Sequence, residues 1–317
     1  MSHFLQLAPM QALTDIPFMN AYQKHFGGFT EMMAPYIMAS SNSPIKTQKL
    51  QKHFSQLNKE ITLVPQLLSN DAEGFVHFAN ALFHLGYTKV NWNLGCPYPA
   101  VTNKLRGSGL LPYPEKIDSV LNKMCPILKP ELSIKLRLGL HTNQEILPII
   151  EVLNQYPIAE TIIHPRTAIQ LYNGTADVAY FGSIYHKLKM PVIYNGDLLY
   201  ASQVFELEQN YPGLKGYMIG RGAFINPFIT NQINGIEWSE AEKLERYRNF
   251  YFDLHQQCQN RSSNSSGFLN HIKELWVLFS KSFQNGEQHF NTLKSINQPD
   301  EFLNAADMIF KTGKLIF

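Results

Sequence analysis

The sequence predicts an α/β fold, a TIM (β/α)8 barrel followed by a small all-helical C-terminal domain, and three observations carry this prediction. Eight short β-like runs alternate with helix-like segments over about 235 residues. The first run leads into "APMQALTD", with none of the glycines that a doubly wound nucleotide-binding sheet places after its first strand. From about Ile236 onward the strand texture stops and only helical patterns follow.

In chain order the strand candidates are "FLQLAP" near the start, "FTEMMAP" after Gly28, "ITLVPQLL" from Ile61 and "KVNWNL" from Lys89. They continue with "LSIKLRL" from Leu132, "ETIIHP" from Glu160, "MPVIYNG" from Met190 and "GYMIGRG" from Gly216. The clearest helix between them is "DAEGFVHFANALFHLG", which has an Asp start, apolar residues at helical spacing and Gly86 as its stop. Beyond residue 235, "WSEAEKLERYRNFYFDLHQQ", "FLNHIKELWVLFSKSF" and "PDEFLNAADMIF" read as helices. Ser239 with Glu242 three residues on forms an N-terminal capping box. The expected domains are therefore 1–235, the barrel, and 236–317, the helical domain.

With 44% hydrophobic and 16% charged residues, the chain has enough apolar side chains for a large core and is not of disordered composition. No apolar run approaches the roughly 18 residues that cross a membrane, and "MSHFLQLAPM" lacks the parts of a signal peptide. Cys96, Cys125 and Cys258 supply neither a disulfide framework nor metal-ligand spacing. A reduced cytoplasmic location, no metal and a monomer are expected. The net charge of +2 requires any nucleic-acid partner to be met by locally gathered charge.

A barrel carries its chemistry at the C-terminal ends of its strands. That rule selects Pro9 and Met10, Gln66, Asn93 and Cys96, Lys135 and Arg137, His164 and Arg166, Asn195-Gly196-Asp197, and Gly220-Arg221-Gly222. The loops after the seventh and eighth strands of such barrels often hold phosphate, and "NGD" and "GRG" fall in those two loops. Arg221 can add a forked contact to a phosphate. Lysine is seldom buried without a partner, so Lys135 reads as a cation aimed at an electron-rich ring or developing anion, against the plain reading of a barrel lysine neutralised by an acid. A free cysteine is more often a small buried hydrophobe, which suits Cys125 and Cys258. Cys96 differs because Gly95 and Pro97 fix a turn at a strand tip. No base is adjacent in sequence, so proton donation is a better reading than nucleophilic attack.

Assembled in order, these landmarks resemble the tRNA-dihydrouridine synthases. The matching stretches are "LAPM" at Leu7–Met10, Gln66 in "VPQLL", "NWNLGCP" at Asn91–Pro97 and "KLRGSGLL" from Lys104. "IKLRLG", "IIHPRT", "YNGD" and "MIGRGAF" follow, and "HIKELWVLF" from His271 resembles a helix of the family's RNA-binding domain. Two positions depart from the family pattern. Asn91 stands where Asp is common, with a side chain expected to point away from the flavin. Pro165 stands where glycine is usual and is expected to restrict a turn after His164.

The resemblance implies a flavoprotein that uses FMN and NADPH to reduce one D-loop uridine of tRNA to 5,6-dihydrouridine. Gln66, Lys135 and His164 would hold the isoalloxazine, with Pro9 and Met10 packed near the ring. Asn195, Gly196, Asp197, Gly220 and Arg221 would surround the ribityl phosphate. Hydride would go from the reduced flavin to C6 of uracil, and Cys96 would give the proton to C5. Asn93 and Arg166 are expected at the substrate, and Lys104 and Arg106 at the RNA backbone or in a loop closing over the base. The helix from His271 inclines the target towards position 16.

The tail, 236–317, holds nine Lys/Arg and ten Asp/Glu. To bind RNA it must gather Lys243, Arg246, Arg248, Lys273 and Lys281 on one face. Lys46, Lys49 and Lys52 are further phosphate candidates, equally explained by an exposed helix. Two rival readings share the fold: an FMN barrel oxidoreductase acting on a small pyrimidine or enone, with the tail as a dimerisation domain, and a non-catalytic RNA-binding relative.

Overall fold

In the computed structural model, which describes residues 3–42, 50, 54, 57–262 and 264–317, eight parallel strands close a ring. They are β1 Leu5–Leu7, β2 in two parts (Glu31–Met33 and Ile37–Met38), β3 in two parts (Leu63–Val64 and Gln66–Leu68) and β4 Lys89–Leu94. β5 Glu131–Gly139, β6 Ile158–Thr167, β7 Val192–Tyr194 and β8 Gly216–Ile219 complete it. Each strand pairs with the next, and β8 returns to β1 through Leu5↔Tyr217 and Leu7↔Ile219. Pro65 splits β3 because proline has no N–H for the ladder. Lys46, Lys49 and Lys52 lie outside the described residues.

Helices follow most strands: α1 Ile16–His25, α2 Ala72–His84, α3 Pro114–Met124, α4 Ile146–Leu153, α5 Val178–Ile184 and α6 Ala201–Asn210. α2 starts where Asp71 accepts the N–H of Gly74 (3.2 Å), and Gly86, with φ +99°, turns the chain out of it. After β8 come two short helices, α7 Gly222–Ile225 and α8 Ile229–Ile233. The tail is α9 Glu240–Arg261, α10 Ser265–Phe279, α11 Gly286–Ser295 and α12 Pro299–Thr312. The Ser239–Glu242 capping box opens α9 as expected.

Aromatic side chains weld the tail to the barrel. Phe250 of α9 meets Phe18 (5.8 Å between ring centres) and Phe26 (5.1 Å), and Phe18 stacks on Phe224 at 4.1 Å. The Tyr247 hydroxyl donates to the Phe224 carbonyl at 2.9 Å. Residues from both regions belong to one hydrophobic core, so the change of texture near residue 235 is not a break in packing. Among the described residues no helix is long and apolar enough to cross a membrane.

Strand alternation sorts the barrel interior into layers. At the N-terminal end, fully buried Glu160 accepts from Lys89 (3.2 Å), Lys215 and Gln6 (3.1 Å), and Lys89 also reaches Glu31 at 2.7 Å. Above this charged plug lie Ala8, Met33, Val64, Ile162, Ile193 and Met218. Asn91, one step below Asn93 on β4, belongs to a polar rung inside the barrel. Its Oδ1 accepts from Gln66 (2.8 Å) and its Nδ2 donates to Ser133 (2.9 Å). The turn expected at Pro165 is absent: β6 runs on to Thr167, with proline at a register irregularity against β5 where a missing N–H is tolerated.

Candidate active site

The turn after β4 is built to present Cys96. Asn93 Oδ1 accepts the N–H groups of both Gly95 (3.0 Å) and Cys96 (2.9 Å), while its Nδ2 donates to Gln66 (2.7 Å). The Cys96 carbonyl accepts from the N–H (3.1 Å) and hydroxyl (2.8 Å) of Ser108. Gly107 permits this docking, since a Cβ there would stand 2.8 Å from that carbonyl and its φ is +55°. Asn70 ties the loop down by accepting from Arg106 (3.1 Å) and donating to the Lys104 carbonyl (3.0 Å). Lys104 and Arg106 thus organise or flank the loop, and neither lines the cavity that the thiol faces.

That cavity, about 410 Å³, is lined by Pro9, Met10, Asn93, Cys96, Lys135, Arg137, His164 and Arg221 among others, a size typical of small-molecule sites. Cys96 is 7% exposed. Burial pushes its thiol up, against the Tyr98 N–H, the Tyr36 hydroxyl and the Arg137 charge, which pull it down. The net result is a thiol that stays protonated at neutral pH, and among the described residues no carboxylate or imidazole acts on it.

The remaining wall is cationic. Lys135 has no carboxylate partner among the described residues, and burial, then the neighbouring Arg137, lowers its pKa to about 7. Arg137 is anchored by three carbonyls, Gly95 (3.1 Å), Thr167 (2.9 Å) and Leu171 (2.7 Å), and packs 5.3 Å from the Tyr172 ring centre. Burial, then Lys135, Arg137, Arg166 and Arg221, hold His164 neutral. An anionic or electron-rich ligand relieves this crowding of positive charge.

A smaller cavity of about 70 Å³ adjoins it, lined by Asn195, Gly196, Asp197, Gly220 and Arg221 together with Lys135 and His164. Burial pushes Asp197 up, but Arg166, the Ala176 N–H and Arg221 prevail and hold it below its ordinary range. Arg166 grips it as a fork (2.9 and 2.6 Å), and Arg221 reaches it at 2.7 Å. Asp197 therefore positions the two arginines. Arg166 is buried, also bonds the Gly174 carbonyl at 2.7 Å, and lines neither cavity. Asp197→Asn leaves the Arg166 charge buried and uncompensated, so a loss of about 3 kcal/mol is expected in urea unfolding at neutral pH. Because the native Asp197 pKa is depressed, this wild-type advantage is present above the ordinary carboxylate pKa. It disappears as pH falls through the lower native value.

Gln66 lies one layer below the mouth, fully engaged with Asn91 and Asn93. The strand-end rule missed Tyr36, Tyr98 and Tyr172, and it missed Glu274, Val277 and Leu278 of α10, all of which line the larger cavity. Helical spacing of 274, 277 and 278 puts the last three on one face of α10, but only packing shows what that face meets. The tail's cations are largely committed: Lys243 to Glu240 (2.8 Å), Arg248 to Asp307 (2.6 Å), and Lys273 to the Lys294 carbonyl (3.0 Å). Arg246 donates to the His25 carbonyl (2.6 Å) and lies over Trp238 (3.9 Å). Lys281 is exposed. Among the described residues no group of three or more His, Cys, Asp or Glu could hold a metal.

Strain is concentrated at this face. Ala12, Leu105, Leu171 and Asp197 all have positive φ (64°, 50°, 51° and 50°), and they lie in loops following β1, β4, β6 and β7. Such conformations are costly for residues with a Cβ and gather at functional sites.

Among solved structures, the fold is shared with histamine dehydrogenase from Rhizobium sp. 4-9 (TM-score 0.56, 10% identity, 74% of this chain and 45% of that one). It is shared also with an old yellow enzyme homologue from Zymomonas mobilis (0.52, 9%, 73% and 88%). In sequence, tRNA-dihydrouridine synthase B of Pasteurella multocida is 27% identical, covering 85% of this chain and 76% of its own length. The tRNA-dihydrouridine(16) synthase of Neisseria meningitidis serogroup B is 26% identical, covering 94% and 92%. Synthase B of Escherichia coli K12 is 30% identical, covering 71% and 70%. The family model described as dihydrouridine synthase (Dus) matches residues 6–314, from β1 through the last helix, and the chain belongs to that family of oxidoreductases.

Proposed function

We propose that this protein is a tRNA-dihydrouridine synthase that reduces a D-loop uridine of tRNA to 5,6-dihydrouridine with FMN and NADPH. The observation that carries the reading is a protonated thiol and an unpaired lysine sharing one cavity, in a chain of this family. FMN suits the residues present. Lys135 lacks an anionic partner among the described residues, His164 is neutral, Pro9 and Met10 offer apolar contact, and Gln66 supports Asn93 from below. Arg221, with Asn195, Gly196, Asp197 and Gly220 around the smaller cavity, would receive the phosphate.

When bound, FMN would supply hydride chemistry towards C6 of uracil, with NADPH as the source of reducing electrons. Cys96 then acts as general acid: its S–H bond breaks and a C5–H bond forms. Asn93 and the docked Ser108 loop hold the thiol in place, and Arg137 supplies positive charge beside it. Asn93 meets the uracil edge, Tyr98 and Tyr172 offer ring faces to unstacked bases, and Lys104 and Arg106 meet RNA phosphates. The fork of Arg166 on Asp197 gives it a supporting role behind Arg221. Swinging the base out costs a few kcal/mol. The match to the (16) synthase runs through the helical tail, and this supports position 16 as the target.

Incubation with NADPH and unmodified tRNA, followed by mass spectrometry of RNase fragments, tests this. The expected result is a gain of two hydrogens on the uridine at position 16. A yellow protein that oxidises NADPH and leaves tRNA unchanged would overturn this reading and put the small-pyrimidine or enone oxidoreductase first.

A further inference from the structure

β2 contains one residue more than β3 across the same stretch. Met33 pairs with Val64 and Ile37 with Leu67, so four steps on β2 match three on β3. This is a β-bulge, centred on Pro35 and Tyr36, and a bulge re-aims the side chain it carries. Strict alternation from inward-facing Met33 would turn Tyr36 outward. Instead Tyr36 lines the larger cavity together with Cys96 and packs against the cluster of Leu68, Cys96 and Val101, with its hydroxyl acting on the thiol.

We propose that Tyr36 is a positioning residue of the reaction, whose hydroxyl donates to Cys96 sulfur and stabilises the thiolate left after proton transfer. The proposal rests on Cys96 being the proton donor. When the proton goes to C5, the S–H electron pair stays on sulfur, and the anion is left beside apolar Leu68 and Val101. A buried anion must be paired or hydrogen-bonded. The groups acting on the sulfur are the Tyr98 N–H, the Tyr36 hydroxyl and the Arg137 charge; Lys135 lines the same cavity, and Tyr172 and Glu274 act on Tyr98. Arg137 spends Nε and Nη1 on three carbonyls and acts on the sulfur through its charge. Tyr36 and the Tyr98 N–H are the groups that act on the sulfur as hydrogen-bond donors. Burial and the thiol both raise the Tyr36 pKa, as expected for a phenol that stays protonated and donates.

The test is Tyr36→Phe, which removes one oxygen and keeps the ring. Iodoacetamide labelling of the Cys96 peptide in the full-length protein, followed by mass spectrometry across pH, reads the thiolate fraction without catalysis. The expected profile moves to higher pH, with labelling about tenfold slower at pH 8, and kcat for dihydrouridine formation falls about tenfold at unchanged KM for tRNA. A labelling profile of the Tyr36→Phe protein that overlays wild type overturns the proposal, as does a raised KM with kcat intact. Full turnover by Cys96→Ala would sink the proton-donor reading instead, whatever the labelling shows.

Discussion

Cys96→Ala is expected to lower dihydrouridine formation about 10²–10⁴-fold while the protein keeps its flavin. The first half follows from the local chemistry. The thiol is the one protonated group held at the turn by Asn93 and Ser108, and the nearby Arg137 has no proton to give near neutral pH. The second half follows from position, because Lys135 and Arg221, the cations proposed to hold FMN, stand on β5 and in the loop after β8. Cys96→Ser is expected to be nearly as poor, since a serine hydroxyl is a far weaker acid than a thiol. Single-turnover assays by mass spectrometry, with flavin absorbance recorded on the same samples, check both halves. Turnover by the alanine variant within about threefold of wild type would remove Cys96 from the mechanism.

Lys135→Met is expected to act in opposite directions on cofactor and fold. Removing the cation should weaken FMN binding roughly 10–100-fold, the range of a lost charge-assisted hydrogen bond. In the unliganded protein the same change should stabilise, because a charged lysine at this depth has no anion to meet. The sign is checkable. The lysine pKa is about 7 in the folded chain against an ordinary 10.5, so between these values the unfolded chain holds the proton and the folded one does not. Wild-type stability attributable to Lys135 therefore rises with pH across that window, and below 7 the full cost remains. The thermal advantage of the methionine variant should be larger at about pH 6 than at about pH 9. An advantage that does not vary with pH would mean that Lys135 already has a partner.

Much of this site was legible because barrel chemistry collects at strand ends and strand alternation has a fixed period. Asn93, Cys96, Lys135, His164, Asn195 and Arg221 come together around two adjoining cavities from separate stretches of chain. The illegible parts have specific causes. Tyr36 reaches the cavity through a bulge that shifts parity by one residue, which no two-residue pattern reveals. Arg166 read as a substrate contact, but its fork meets Asp197 on the next strand's loop. The cations of the tail read as an RNA face, whereas several are spent on nearby carboxylates and carbonyls.

By itself the sequence determined the α/β alternation, the strand tips, the glycine-shaped loops and the helical tail, because these depend on local periodicity and local backbone freedom. Only the tertiary structure decided which groups share an environment. Among the described residues Lys135 has no carboxylate partner, Asp197 is divided between two arginines, and α10 brings Glu274, Val277 and Leu278 to the cavity of Cys96. Charge state and contact are set by neighbours distant in sequence, and packing alone fixes who those neighbours are.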